Sequence, residues 1–150
     1  MKPFNKILVP VDFSEHSAEA LRTAVALARS YGATLTLLHV YDLAPYALPQ
    51  GYALFTSVEV ERLTREFEVQ LASTKDEALK LGAERVDTRL LSGTPAFRIA
   101  DFAKDAGIDL IVMGTHGRTG ARHLFIGSIA ERVVRTAPCA VLTVKAPQVK

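Results

Sequence analysis

The sequence predicts an α/β domain: a doubly wound, five-stranded parallel sheet with helices on both faces. Three observations carry that prediction. Short apolar, β-branched runs alternate with amphipathic helical stretches from end to end. Several strand runs are continuously apolar, as strands covered on both faces are. The pattern fills 150 residues, the length of one domain (1–150) with no room for a second core.

Lys6 to Val11 (KILVPV) is the first strand, short and apolar. Ser14 to Ser30 carries Ala18, Leu21, Val25 and Ala28 at helical spacing, and Ala24 and Leu27 widen the stripe. Asp12 and Ser14 are both candidate N-caps, and Gly32 stands where a helix-ending glycine belongs. Thr34 to Tyr41 is the second strand. Asp42 to Phe55, with Pro45, Pro49 and Gly51, is too punctuated for a helix and long for a connection. It reads equally well as a lid or partner surface and as a variable insertion.

Thr56-Ser57-Val58-Glu59 is a capping box opening a long helix to about Leu81, closed by Gly82. Its charges, such as Glu59, Glu61, Arg62, Arg65 and Glu66, read as a solvated face. Arg85 to Leu91 is the third strand. Thr94-Pro95 sets an N-cap and a proline at the first position of a helix to about Lys104, ending near Gly107. Asp109 to Met113 is the fourth strand. Ser128-Ile129-Ala130-Glu131 reads as another capping box, opening a helix to about Arg135 that stops before Pro138. Ala140 to Val144 is the last strand, followed by a polar tail.

Composition excludes several classes. Hydrophobic residues are 49% and charged residues 23%, so the chain is no disordered tail. The net charge of +2 comes from a near-balance of 18 basic and 16 acidic residues. No basic cluster argues for a nucleic-acid partner. No run approaches the ~18 apolar residues of a membrane span, so no membrane insertion is expected. The first apolar run is too short for a signal peptide. The single cysteine, Cys139, cannot form an intrachain disulfide and fits a reducing compartment. The expectation is a cytoplasmic protein.

Doubly wound sheets bind ligands at the carboxyl ends of their strands, near the switch point. That rule points to Val11-Asp12, Val40-Tyr41 and Met113-Gly114. The informative segment then runs from Gly114 to Ser128, GTHGRTGARHLFIGS. Glycines let backbone N–H groups approach a ligand, and the segment ends on a helix N-terminus, which favours an anion. Arg118, Arg122 and His123 add basic character, and Ser128 offers a hydroxyl to a phosphate oxygen. A plain turn with Ser128 as a helix cap is the blander reading. Two common phosphate motifs fail. No lysine precedes Ser128, as a Walker A loop requires, and the first turn is Asp12-Phe13-Ser14, not a dinucleotide glycine motif.

Gly114-x2-Gly117-x9-Gly127-Ser128 resembles the G-2x-G-9x-G-[ST] signature of the nucleotide-binding branch of the universal stress protein family. The opening Ile7-Leu8-Val9-Pro10-Val11-Asp12 with Ser14, the Leu38-His39-Val40 strand, the Gly93-Thr94-Pro95-Ala96 turn and the closing Pro138-Cys139-Ala140-Val141-Leu142 resemble it too. The likeness covers nearly the whole chain. It implies strand order 3-2-1-4-5 and ATP binding, with Mg²⁺ or Mn²⁺ held through the phosphates. Carried over by position, Asp12 would bond the nucleoside, while Pro10 and Val11 would line its pocket. Val40 would present backbone to the adenine, with Met113 nearby. Gly114, Gly117, Gly127 and Ser128 would hold ribose and phosphates, with His116 and Arg118 inside the signature. The family's usual glycine after the aspartate is Phe13 here, which bears on the tightness of this turn. The resemblance also implies a homodimer through the C-terminal strand region, acting as a nucleotide-dependent regulator of an unknown protein partner in the stress response.

The alternative is a slow ATPase or nucleotide hydrolase in the same cleft, with His116 the one candidate base in the glycine loop. No nucleophile–base constellation stands out, so no catalytic residue is assigned. A phosphorylated receiver would need an aspartate ending the third strand, where Leu91-Ser92-Gly93 stands. The four histidines show no metal-binding spacing. His39 reads as a packed or edge histidine, and Cys139 as a buried, inert thiol.

Overall fold

The structure is a computed structural model describing residues 4–44, 55–116 and 126–147. Nine elements alternate: β1 Lys6–Pro10, α1 Glu15–Tyr31, β2 Thr34–Tyr41, α2 Ser57–Lys80, β3 Val86–Ser92, α3 Pro95–Asp105, β4 Leu110–Gly114, α4 Ser128–Thr136 and β5 Ala140–Val144. The strands form one sheet in the order β3-β2-β1-β4-β5, and every pairing is parallel. The implied topology is therefore the observed one. β3 and β5 are the edges, and the switch point lies between β1 and β4.

Side-chain alternation along the strands divides the core in two. Ile7, Val9, Val11, Leu35 and Leu37 face α1 and α2, meeting Ala20, Leu21, Ala24, Val25, Leu71 and Ala78. Leu8, Leu38, Ile111 and Met113 face α3 and α4, meeting Ala96, Ile99, Ala103, Ala130 and Val133. Leu37 and Leu38 are fully buried on opposite faces, so the sheet is covered on both sides. Truncating either to alanine removes about 2–5 kcal/mol by lost transfer and an unfilled cavity.

Local chemistry sets the helix starts. Ser14 caps α1, its Oγ accepting the Ser17 N–H at 3.2 Å. At α2 the capping box forms: Thr56 Oγ1 accepts the Glu59 N–H at 3.2 Å, and the Glu59 carboxylate accepts the Thr56 N–H at 2.6 Å. The Thr56 N–H, and after it the Thr56 side chain, hold the Glu59 carboxyl below its ordinary range. Thr94 and Pro95 open α3 in the expected positions, although the Thr94 side chain makes no capping bond.

The capping box expected at Ser128 does not form. Gly127, extended at φ −74° and ψ 163°, is the N-cap, and Ser128 is the first helical residue. The Glu131 carboxylate instead reaches Arg135 at 2.5 Å, one turn along. Cys139 also differs from expectation, being half-buried rather than buried. Burial, with the Asp109 charge adding to it, pushes its thiol up. Among the described residues, no helix is long and apolar enough to cross a membrane. The 42–55 connection lies mostly outside the described residues, so its reading as a lid rests on sequence.

Candidate functional site

The site grows from the carboxyl end of β1. The chain leaves β1 at Pro10, and Asp12 begins the turn into α1. Asp12 Oδ1 accepts two hydrogen bonds from Ser14, one from its N–H at 3.0 Å and one from its hydroxyl at 2.5 Å. The Asp12 N–H in turn donates to Ser17 Oγ at 3.3 Å. Between them Phe13 takes φ +65°, a left-handed conformation unusual for a residue with a Cβ. The turn is thus made where the family's usual glycine is missing. The Phe13 ring lies on His39, with centroids 4.7 Å apart.

Gly114 ends β4 directly against the first turn of α1. A Cβ placed on Gly114 would stand 2.8 Å from His16 Cβ and 3.0 Å from His16's carbonyl carbon and oxygen. Close approach, more than turn-making, explains the glycine here. Past β4, buried Thr115 donates its N–H to Val144 O at 3.0 Å, anchoring the exit to β5. Its Oγ1 lies 3.0 Å from His116 Nδ1, and the His116 ring sits 5.4 Å from the His16 ring.

The far end of the glycine segment returns to the same place. The Gly127 N–H donates to Thr115 O at 2.5 Å, and a Cβ on Gly127 would stand 3.0 Å from that oxygen. Gly127 O accepts the Glu131 N–H, so α4 starts there. The early N–H groups of α4 lack intrahelical partners and carry the positive end of the helix dipole. Asp12, the α1 N-terminus, Gly114–His116 and the α4 N-terminus are therefore linked by direct contacts beside the switch point.

Other expected residues contribute differently. Val11 is buried with its side chain in the α1–α2 core, so the side chain does not line a pocket as expected. Its N–H donates to Leu38 O at 2.8 Å, and its carbonyl accepts from His39. Val40 and Met113 both pack into the α3–α4 core, and Pro10 is half-buried. Gly117 and Arg118 lie outside the described residues, as do Arg122 and His123.

Sequence reasoning missed the contributions of His16, Ser17, Thr115 and Phe67. His16, Thr115 and Phe67 act across the fold, while Ser17 acts within the Asp12 turn. His39, expected to be packed, is buried between Phe13 and Phe67, whose ring is 4.6 Å away. Among the described residues, no three His, Cys, Asp or Glu gather as a ligand set for a metal ion.

The sequence profile of the universal stress protein family matches residues 3–145. A universal stress protein of Methanocaldococcus jannaschii is 37% identical over 147 residues, covering 97% of this chain and 84% of the relative. A solved structure of a hypothetical protein, determined as a test case of structural genomics, superposes with a TM-score of 0.82 at 31% identity. It covers 97% of this chain and 99% of that one. Two universal stress proteins at 23% identity share the fold. One is in complex with cAMP, with a TM-score of 0.71 and coverage of 96% and 98%. The other, from Archaeoglobus fulgidus, is in complex with dAMP, with a TM-score of 0.65 and coverage of 97% and 100%.

Proposed function

The chain belongs to the universal stress protein family, and on that premise we propose that it binds ATP as a nucleotide-dependent, homodimeric regulator of the cytoplasmic stress response. The observation that carries the reading is the meeting of Asp12, Gly114 and the Gly127–Ser128 helix start at the switch point of the sheet. Two members of the same fold, in complex with cAMP and dAMP, lend support to an adenine nucleotide.

Each part has a chemical task. Ser14 occupies Asp12 Oδ1, so Oδ2 is the oxygen available to a ribose hydroxyl. The Val40 and Val11 backbones border the nucleoside, with Pro10 beside it and Met113 beneath. Gly114 and Gly127, packed closely on His16 and the Thr115 carbonyl, bring their backbone to the phosphate side. The first-turn N–H groups of α4, Ser128's among them, meet their charge. Gly117, His116 and Arg118 complete the phosphate side. The described residues offer no carboxylate cluster, so Mg²⁺ or Mn²⁺ would be held by phosphate oxygens and water, as Mg²⁺ commonly is.

The dimer reading rests on β5. It is an edge of the sheet, and Leu142 on it and Ile129 and Val134 on the neighbouring α4 are exposed apolar side chains. A twofold interface across this edge would cover them. Leu142→Lys is expected to give a monomer in light scattering after gel filtration. An unchanged dimer would move the interface elsewhere, and a monomeric wild type would remove it.

Nucleotide binding is tested by denaturing the purified protein and identifying released nucleotide by chromatography. Melting with ATP and Mg²⁺ is the companion measurement. ATP at a hundred times its Kd stabilises by about 2.7 kcal/mol, a rise of roughly 5–11 °C for a domain this size. A folded protein that releases no nucleotide and shows no rise would overturn the proposal.

A further inference from the structure

We infer that His39 is a positioning residue for the nucleotide site, setting the direction of Asp12 through the peptide unit that joins Val11 to it. The inference rests on the nucleotide reading and goes beyond it to a side chain outside the glycine signature. His39 Nδ1 lies 2.7 Å from the Val11 carbonyl oxygen, 28 residues earlier in the chain. A carbonyl oxygen only accepts, so Nδ1 carries the proton. The N–H of that same peptide unit, belonging to Asp12, donates to Ser17 Oγ. One peptide plane is thus held at its oxygen by β2 and at its nitrogen by α1.

That plane leads directly into the strained turn. Phe13 is at φ +65°, so the backbone is held away from the conformation its sequence prefers. Releasing the Val11 oxygen lets the peptide rotate and the turn relax. Asp12, whose carboxylate is already tied to Ser14, then turns with it. The ring supports the same arrangement from the side. His39 is sandwiched between Phe13 and Phe67, and Phe67 stacks in turn on Tyr41 at 5.5 Å. Helix α2, which bears Phe67, is thereby linked to the Asp12 turn. The two roles of His39, donor and packed ring, are separable by substitution.

His39→Phe keeps a ring between Phe13 and Phe67 and removes the donor. His39→Asn loses the ring and keeps an N–H donor, its amide nitrogen, where Nδ1 stands. ATP affinity is measured by calorimetric titration with Mg²⁺. Hydrogen exchange is measured at the Asp12 and Ser14 amides, with Leu37 in β2 as the internal reference. His39→Phe is expected to weaken ATP binding and speed exchange at both turn amides by roughly 2- to 13-fold, the equivalent of one net hydrogen bond. Leu37 should stay protected, and His39→Asn should restore both readouts towards wild type. The inference is overturned if His39→Phe binds ATP and exchanges like wild type. It is overturned equally if His39→Asn is as impaired as His39→Phe, since an N–H returned to the Nδ1 position would then restore nothing. Failure of the wild type to bind ATP would count against the nucleotide reading, and the exchange data would still decide whether His39 holds the turn.

Discussion

Replacing Phe13 by glycine and by alanine should reverse the usual order of those two residues. At most positions alanine is the more stable, because glycine leaves the unfolded chain more freedom. Phe13 is at φ +65°. A residue with a Cβ loses roughly 1–2 kcal/mol in the left-handed region, and glycine does not. Glycine's extra unfolded-state freedom costs about 0.4–1 kcal/mol in return. The Phe13→Gly protein should therefore be more stable than the Phe13→Ala protein by roughly 0.8 kcal/mol, or about 2–3 °C in Tm. Both should lie below wild type. Each loses a half-buried ring packed on His39, worth roughly 1–2 kcal/mol. Urea denaturation decides the order, with equal m-values showing that stability alone has changed. An alanine variant as stable as the glycine variant would refute the argument that this turn is strained.

The same geometry sets further outcomes. Gly114→Ala should lower stability by about 1–3 kcal/mol, because its Cβ would meet the His16 backbone, which has no rotamer to yield; an unchanged Tm would contradict that packing. Gly107→Ala is the contrast, since its φ is +65° with open space around it, and only the left-handed cost less the unfolded-state freedom that alanine removes, a net of roughly 0.8 kcal/mol, should appear in its Tm. Glu59 is held below its ordinary range in the folded state by its bonds from Thr56, so its contribution is present above the unfolded carboxylate range. It should fade as pH falls through the folded value. Glu59→Gln should therefore flatten a small part of the acid limb of the stability–pH curve, and an identical limb would count against the capping box. Cys139 has the opposite sign. Its thiol is raised by burial and by Asp109, so native protein should react with iodoacetamide more slowly at pH ~8 than urea-unfolded protein does. Equal rates would contradict the burial.

The elements were legible in the sequence almost to the residue, because apolar runs and helix stripes are local. β2 and β5 fall on the expected residues, and the Thr56 capping box forms as its spacing predicts. Ser128 shows where local pattern misleads. Ser-x-x-Glu fits a capping box, but Gly127 is anchored to Thr115 and takes the cap one residue earlier. The candidate site was legible as a glycine signature with an aspartate, and much less so in the contacts that build it. Gly114 reads from sequence as a glycine that lets backbone approach a ligand, and in the structure the space beside it is filled by His16, far off in the chain. His39 reads as a packed histidine, yet its bond to Val11 ties β2 to the end of β1. Such constraints depend on which residues the sheet order brings together, and no sequence window holds them.

Calorimetric titration of ATP with Mg²⁺ into wild type and Asp12→Ala tests most directly whether Asp12 and the glycine-bounded helix start form a nucleotide cleft. Wild type should bind, and loss of a hydrogen bond to a charged carboxylate should weaken the variant by roughly 10- to 150-fold. A folded wild type that takes up no ATP, or an Asp12→Ala protein that binds as tightly, would contradict the account.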